Sequence, residues 1–143
     1  MSFLLDTNVV SEVRRKQPDP LVLSWLENVD PGALHISVLT LGEIAKGAAK
    51  RAARERLQAD ALDRWLQSIR LHYADRVVGI DATIAERWGR LTAVRTLPVI
   101  DGLLAATALV HNMTLVTRNV RDMADTGVAI HDPWTSQLPQ GNP

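Results

Sequence analysis

Three acidic residues, Asp6, Glu43 and Asp101, stand in apolar or small-residue surroundings where a carboxylate has no obvious cationic partner. Asp6 ends the run Phe3-Leu4-Leu5 and is followed by Thr7 and Asn8. Glu43 has Leu39 and Gly47 four residues to either side, its neighbours on a helix surface. Asp101 interrupts the apolar segment from Pro98 to Val110, where on a helix it lies above Leu104, Ala105 and Ala108. Carboxylates brought together without a cation repel one another, and hard divalent ions such as Mg²⁺ or Mn²⁺ relieve the repulsion through oxygen ligands. Such a site activates water and stabilises the charge of an in-line phosphoryl transition state, so the chemistry expected of the trio is phosphodiester hydrolysis. Each acid also has a plainer role available. Asp6 or Thr7 can cap a helix, Glu43 can be a solvated glutamate on an amphipathic helix, and Asp101 can favour a helix by sitting in its first turn.

The elements that must position these acids follow from the apolar pattern. Phe3 to Leu5 reads as a short buried strand, and Val9, Val10 and Val13 recur at helical spacing after it. Asp19-Pro20 is an N-cap with proline at the first helical position, opening a helix over Leu21 to Val29. Pro31-Gly32 breaks the chain before a second strand, 34–38. Two helices over about 39–49 and 53–72 form a hairpin beside the sheet. The second carries Leu57, Ala61, Leu62, Trp65, Leu66 and Ile69, a stripe assigned to the core or a subunit interface. Residues 76–81 read as a third strand, with Asp81 capping a helix through Thr92 or beyond. The helix from Pro98 is apolar on almost every side, which implies burial all round. Strands over 113–117 and 128–130 follow, separated by the polar turn 118–122, and Trp134 anchors the chain end. This alternation predicts a parallel sheet covered by helices, whose carboxyl rim can gather all three acids.

Composition narrows the class. A chain of 143 residues with 46% hydrophobic content is one domain, expected over 1–134, with a polar, poorly ordered tail over 135–143. The absence of cysteine excludes disulfide frameworks and thiolate metal sites. No apolar run approaches the roughly 20 residues of a membrane span, so a cytoplasmic protein without membrane association is expected. The 16 basic and 16 acidic residues cancel, so any nucleic-acid partner must be held by local patches. Lys50, Arg51, Arg54 and Arg56 form one such run, which can contact phosphates or simply face solvent. His35, His72, His111 and His131 lack ligand spacing. A phosphorelay receiver shares this size and an acidic pocket but needs a late lysine, and the lysines here are Lys16, Lys46 and Lys50.

Leu4-Leu5-Asp6-Thr7-Asn8, Ser37-Val38-Leu39-Thr40-Leu41-Gly42-Glu43-Ile44, Asp101-Gly102-Leu103-Leu104-Ala105-Ala106-Thr107-Ala108 and Leu115 to Met123 together resemble the successive motifs of PIN-domain ribonucleases, specifically VapC-type toxins. The resemblance covers residues 3 to about 134. It implies a three-layer α/β/α domain with a mainly parallel central sheet and Mg²⁺- or Mn²⁺-dependent endoribonuclease activity. It also implies homodimerisation, inhibition by a cognate VapB-type antitoxin, and a larger assembly on operator DNA through that antitoxin. Asp6, Glu43 and Asp101 would be the catalytic, metal-binding acids, with Thr7, Asn8 and Thr117 as polar support. Arg14, Arg15, Lys16, Lys46 and Arg118 are the candidates for RNA phosphate contact. The chain departs from the family pattern at Asn119, which stands where many PIN domains carry a fourth acid; Asp122, about one helical turn on, is the substitute. One firmly held ion is therefore expected, with a second recruited only alongside RNA phosphates. The competing reading is a catalytically silent PIN-like module that binds RNA or protein.

Overall fold

The computed structural model describes residues 1–135. Five parallel strands, β1 (Phe3–Leu5), β2 (Leu34–Ser37), β3 (Val77–Val78), β4 (Thr114–Val116) and β5 (Ile130–His131), form one sheet in the order β3-β2-β1-β4-β5. β1 is central, with Leu5 opposite Ile36 on one side and Val116 on the other. Between the strands run α1 (Thr7–Glu12), α2 (Pro20–Asn28), α3 (Val38–Arg51), α4 (Arg56–His72), α5 (Ala82–Val94), α6 (Val99–His111) and α7 (Val120–Met123).

The alternation of side chains along each strand sends neighbouring residues to opposite faces, and this sorts the core into two layers. Phe3, Leu5, Ile36 and Val116 meet Val9, Val10, Val22, Trp25 and Tyr73 on the face covered by α1, α2 and α4. Leu4 and Leu115 meet Leu104, Ala105, Ala108 and Met123 on the face covered by α6 and α7. The result is the three-layer arrangement, with α3 and α4 paired as the hairpin at its side. Among the described residues no single helix is long and apolar enough to cross a membrane.

Several local signals act as the sequence implies. Asp19 accepts from the Leu21 N–H at 2.8 Å and Asp81 from Ile84 at 2.9 Å, each opening a helix; Ser37, read as part of the second strand, also caps α3, accepting from the Leu39 N–H at 3.0 Å. α6 approaches α5 closely at Gly102, where a Cβ would stand 3.0 Å from the Trp88 ring, so only glycine fits without displacement.

Other expectations are corrected. The third strand spans Val77–Val78 rather than 76–81, because it pairs only with Ile36 and Ser37 of β2. The last strand is Ile130–His131 rather than 128–130. The α4 stripe, assigned to the core or a subunit interface, is partly covered: Trp65 and Ile69 pack partly against the core, whereas Leu57 is 81% exposed. Glu12 is buried at the end of α1, where it accepts from the Asp19 N–H at 2.8 Å. Trp134 packs partly against the first core layer, as expected of an anchor. The tail from 136 onward lies outside the described residues.

Candidate active site

The strand order reverses at β1, whose neighbours are β2 and β4, and in open α/β sheets ligands bind beyond the carboxyl ends of the strands at such a switch point. Asp6 is the first residue past β1 and Thr117 the first past β4. Both are pinned by the sheet: the Asp6 N–H donates to the Val116 carbonyl at 2.9 Å, and the Thr117 N–H to the His131 carbonyl at 3.0 Å.

Asp6 is only 6% exposed, yet its side chain makes no capping hydrogen bond to α1. Its Oδ2 instead accepts from the Thr117 hydroxyl at 2.8 Å, with the Asn8 amide at a long 3.5 Å. Burial pushes the Asp6 carboxyl above the usual carboxylate range. The Thr117 hydroxyl and the nearby Thr7 and Asn8 N–H groups pull the other way, and Glu43 adds to the rise.

Glu43 lies on the exposed side of α3, with its Oε1 accepting from the Thr7 hydroxyl at 2.6 Å. Thr7 also lies 2.9 Å from the fully buried Thr40 hydroxyl. A hydroxyl has one proton, so the relay runs from Thr40 to Thr7 to Glu43. Asp101 sits half-buried in the first turn of α6. Its carboxyl is raised by burial first, then by Asp6, Asp122 and Glu43 in turn. The trio and Asp122 therefore share one electrostatic neighbourhood on the sheet rim. Asn119 contributes its backbone, whose N–H donates to the Thr117 hydroxyl oxygen at 3.0 Å, and is exposed.

No cation answers these charges: among the described residues none of the four acids takes part in an ion pair. The basic candidates are engaged elsewhere or exposed. Arg15 pairs with Glu12 at 3.4 Å, Arg14 lies over the Trp65 ring, Arg118 over Trp134, and Lys16 and Lys46 face solvent. Among the described residues no three Asp, Glu or His side chains are drawn together closely enough to hold an ion as they stand. The donor set nonetheless suits a hard cation. Its members are carboxylate, hydroxyl and amide oxygens, and one of them, the buried Oδ1 of Asn8, has no hydrogen-bond partner.

A PIN-domain profile matches residues 3–128 of the sequence. The chain belongs to the PIN-domain family. This PIN domain is similar to Toxin FitB of Neisseria gonorrhoeae, with 32% identity over 92% of this chain and 98% of that one. It is also 29% identical to VapC ribonuclease Y4jK of Sinorhizobium fredii, over 92% and 97% of the two chains. The crystal structure of FitAcB from Neisseria gonorrhoeae superposes with a TM-score of 0.82 at 31% identity, covering 92% of this chain and 98% of that one. A structure of FitAB bound to an IR36 DNA fragment gives 0.77 at 30% identity, over 92% and 95%. The receiver alternative is set aside, since receivers follow the strand order 2-1-3-4-5 and this PIN domain does not.

Thr40 is the member of the site that sequence reasoning missed. The signal was present: it lies three residues before Glu43, hence on the same helix face.

Proposed function

We propose that this PIN domain is an endoribonuclease, the toxin of a VapBC-type pair, and that it cuts RNA at the acidic rim with Mg²⁺ or Mn²⁺. The observation that carries the reading is the buried Asp6 carboxyl, desolvated and beside other acids with no cation to balance it, in a chain whose relatives include a named VapC ribonuclease. Asp6, Glu43 and Asp101 would hold the ion, with Asn8 Oδ1 and Asp122 at its margin in place of an acid at 119. A divalent ion there supplies charge to offset the phosphate oxygens and lowers the pKa of an attacking water.

The chain's own groups do the rest. Thr117 fixes the Asp6 carboxylate, and the Thr40–Thr7 relay fixes Glu43, so neither has to be ordered when substrate arrives. Beside Glu43 a cleft of about 440 Å³ is lined by Leu39, Lys46, Lys50 and Ile100, apolar on one side and cationic on the other, as a strand of RNA requires. Arg118 follows Thr117 directly and offers a further phosphate contact. Such a toxin would act in the cytoplasm as a homodimer, be silenced by a VapB-type antitoxin, and reach operator DNA through it. The FitAB structure on DNA supports that assembly.

Incubation with total RNA tests the activity. Wild-type protein is expected to cleave with Mg²⁺ or Mn²⁺ and to stop with chelator, and Asp101→Asn is expected to be inert while folded. Cleavage indifferent to chelator would remove the ion from the mechanism. RNA binding without any cleavage would favour the silent-module reading, for which Asn119 is the specific point of support.

A further inference from the structure

A second cationic site lies away from the acids, in a cleft of about 510 Å³ between the end of α1 and the turn of the α3–α4 hairpin. Its walls bring together Arg14, two residues past α1, and Arg51, the last residue of α3, over a floor that includes Gln58 and Leu62. Both guanidinium groups are held in place. Arg14 lies 5.4 Å from the centre of the Trp65 ring, and Arg51 Nη1 donates to the Gly47 carbonyl at 3.2 Å. Glu55 lines the same cleft, yet neither arginine forms an ion pair with it or with any other described acid. Two preorganised, unpaired guanidinium groups facing one cleft are a forked donor set suited to phosphate oxygens.

The position of the cleft gives it a partner. α1 begins beside Asp6 and α3 carries Glu43, so both helices run from the acidic rim and deliver an arginine at their far ends. Arg51 is eight residues beyond Glu43, about 12 Å along the helix axis. Lys46 and Lys50, which line the cleft beside Glu43, occupy the interval. Cationic side chains thus continue along α3 from the acids to the second cleft.

We infer that Arg14 and Arg51 form a remote phosphate subsite that grips single-stranded RNA a few nucleotides from the bond being cut. This rests on the ribonuclease reading for its ligand, but it is tested by binding and so stands or falls separately. Dissociation constants are measured by fluorescence anisotropy for full-length protein in chelator, with single-stranded RNAs lengthened one nucleotide at a time. Affinity is expected to step up once the RNA is long enough to span from Lys46 and Lys50 to Arg14 and Arg51. In the Arg14→Gln/Arg51→Gln double variant that step is lost, a change of about tenfold in Kd. The plot of log Kd against log salt becomes shallower by about 1.4, or 0.7 for each single-strand phosphate released. Arg51 is exposed, so Arg51→Gln alone gives part of the loss without risk to the fold, and Arg87→Gln on α5 controls for bulk charge. An unchanged length step in the double variant, or an equal loss in Arg87→Gln, would overturn the subsite. So would a double variant that binds RNA normally but no longer retains a co-expressed protein partner. Failure of wild-type protein to cleave any RNA would count against the ribonuclease reading, and the length step would still decide the subsite.

Discussion

Asp6 and Glu12 stand at opposite ends of the six-residue helix α1 and are almost equally buried, at 6% and 4% exposure. Glu12 has what a buried carboxylate needs, a backbone N–H from Asp19 at 2.8 Å and the Arg15 guanidinium at 3.4 Å, and it ties the α1–α2 connection together. Asp6 has the Thr117 hydroxyl at 2.8 Å and the nearby Thr7 and Asn8 N–H groups but no cation, with other acids in its neighbourhood and a carboxyl that burial drives upward. Burial alone therefore does not mark a functional acid. A buried carboxylate supplied with donors and a cation holds the fold, whereas one left short of positive charge is kept at a cost and waits for a ligand.

If that contrast is right, replacing acids at the two ends of α1 has opposite signatures. The largest effect belongs to the rim: Asp6→Asn or Asp101→Asn should lower metal-dependent cleavage about 10³-fold, a loss of ~4 kcal/mol of transition-state stabilisation. Single-turnover cleavage of a labelled RNA reads it, and circular dichroism shows the fold intact. Glu12→Ala should do the reverse, lowering unfolding free energy by about 2 kcal/mol because the Asp19 N–H loses its acceptor. Cleavage per folded molecule should stay unchanged. Equal activity losses at both ends would erase the distinction.

A smaller effect sharpens it. Thr117→Val removes the hydroxyl that holds Asp6 and leaves that carboxylate without its shortest hydrogen bond, worth about 1 kcal/mol. It should weaken Mn²⁺ affinity by a few-fold, read by calorimetry, and lower metal-free unfolding free energy by about 1 kcal/mol.

The smallest effect is the pH slope of metal-free stability. Asp6 and Asp101 have raised carboxyl values, so the folded chain keeps protons that the unfolded chain has already lost. Their contribution to stability falls as pH rises from the ordinary carboxylate range through the raised values, then levels off. His131 works in the opposite direction. Burial lowers its pKa against a smaller upward pull from Asp132, so its contribution is lost as pH falls below the unfolded histidine value of about 6.5. Urea unfolding across this range should show wild type losing stability relative to Asp101→Asn as pH rises through the carboxylate window. A flat difference would mean that Asp101 is not electrostatically strained.

Much of this was legible in the residues. Short apolar strands ending in polar residues located β1, β2 and β4, and the Asp19 and Asp81 caps placed two helix starts. The apolar surroundings of Asp101 pointed to a carboxyl short of solvation, as the structure describes it. What escaped had physical reasons. Glu12 gave no signal of burial because its acceptor role depends on a backbone N–H seven residues on, which no helical period reveals. Helical period shows which side chains of α4 share a face but not how far each is covered: Trp65 and Ile69 reach the core, whereas Leu57, at the start of the helix, is exposed. β3 and β5 were misjudged at their ends because strand length is set by the neighbours' register rather than by local apolarity.

The central claim is that acids far apart in sequence form one divalent-ion site around Asp6, and titration of Mn²⁺ into metal-free protein at neutral pH tests it most directly. Calorimetry should show one ion bound per chain by wild type and no comparable binding by Asp101→Asn, with the two proteins equally folded. Unchanged binding in Asp101→Asn, or no binding by wild type, would contradict it.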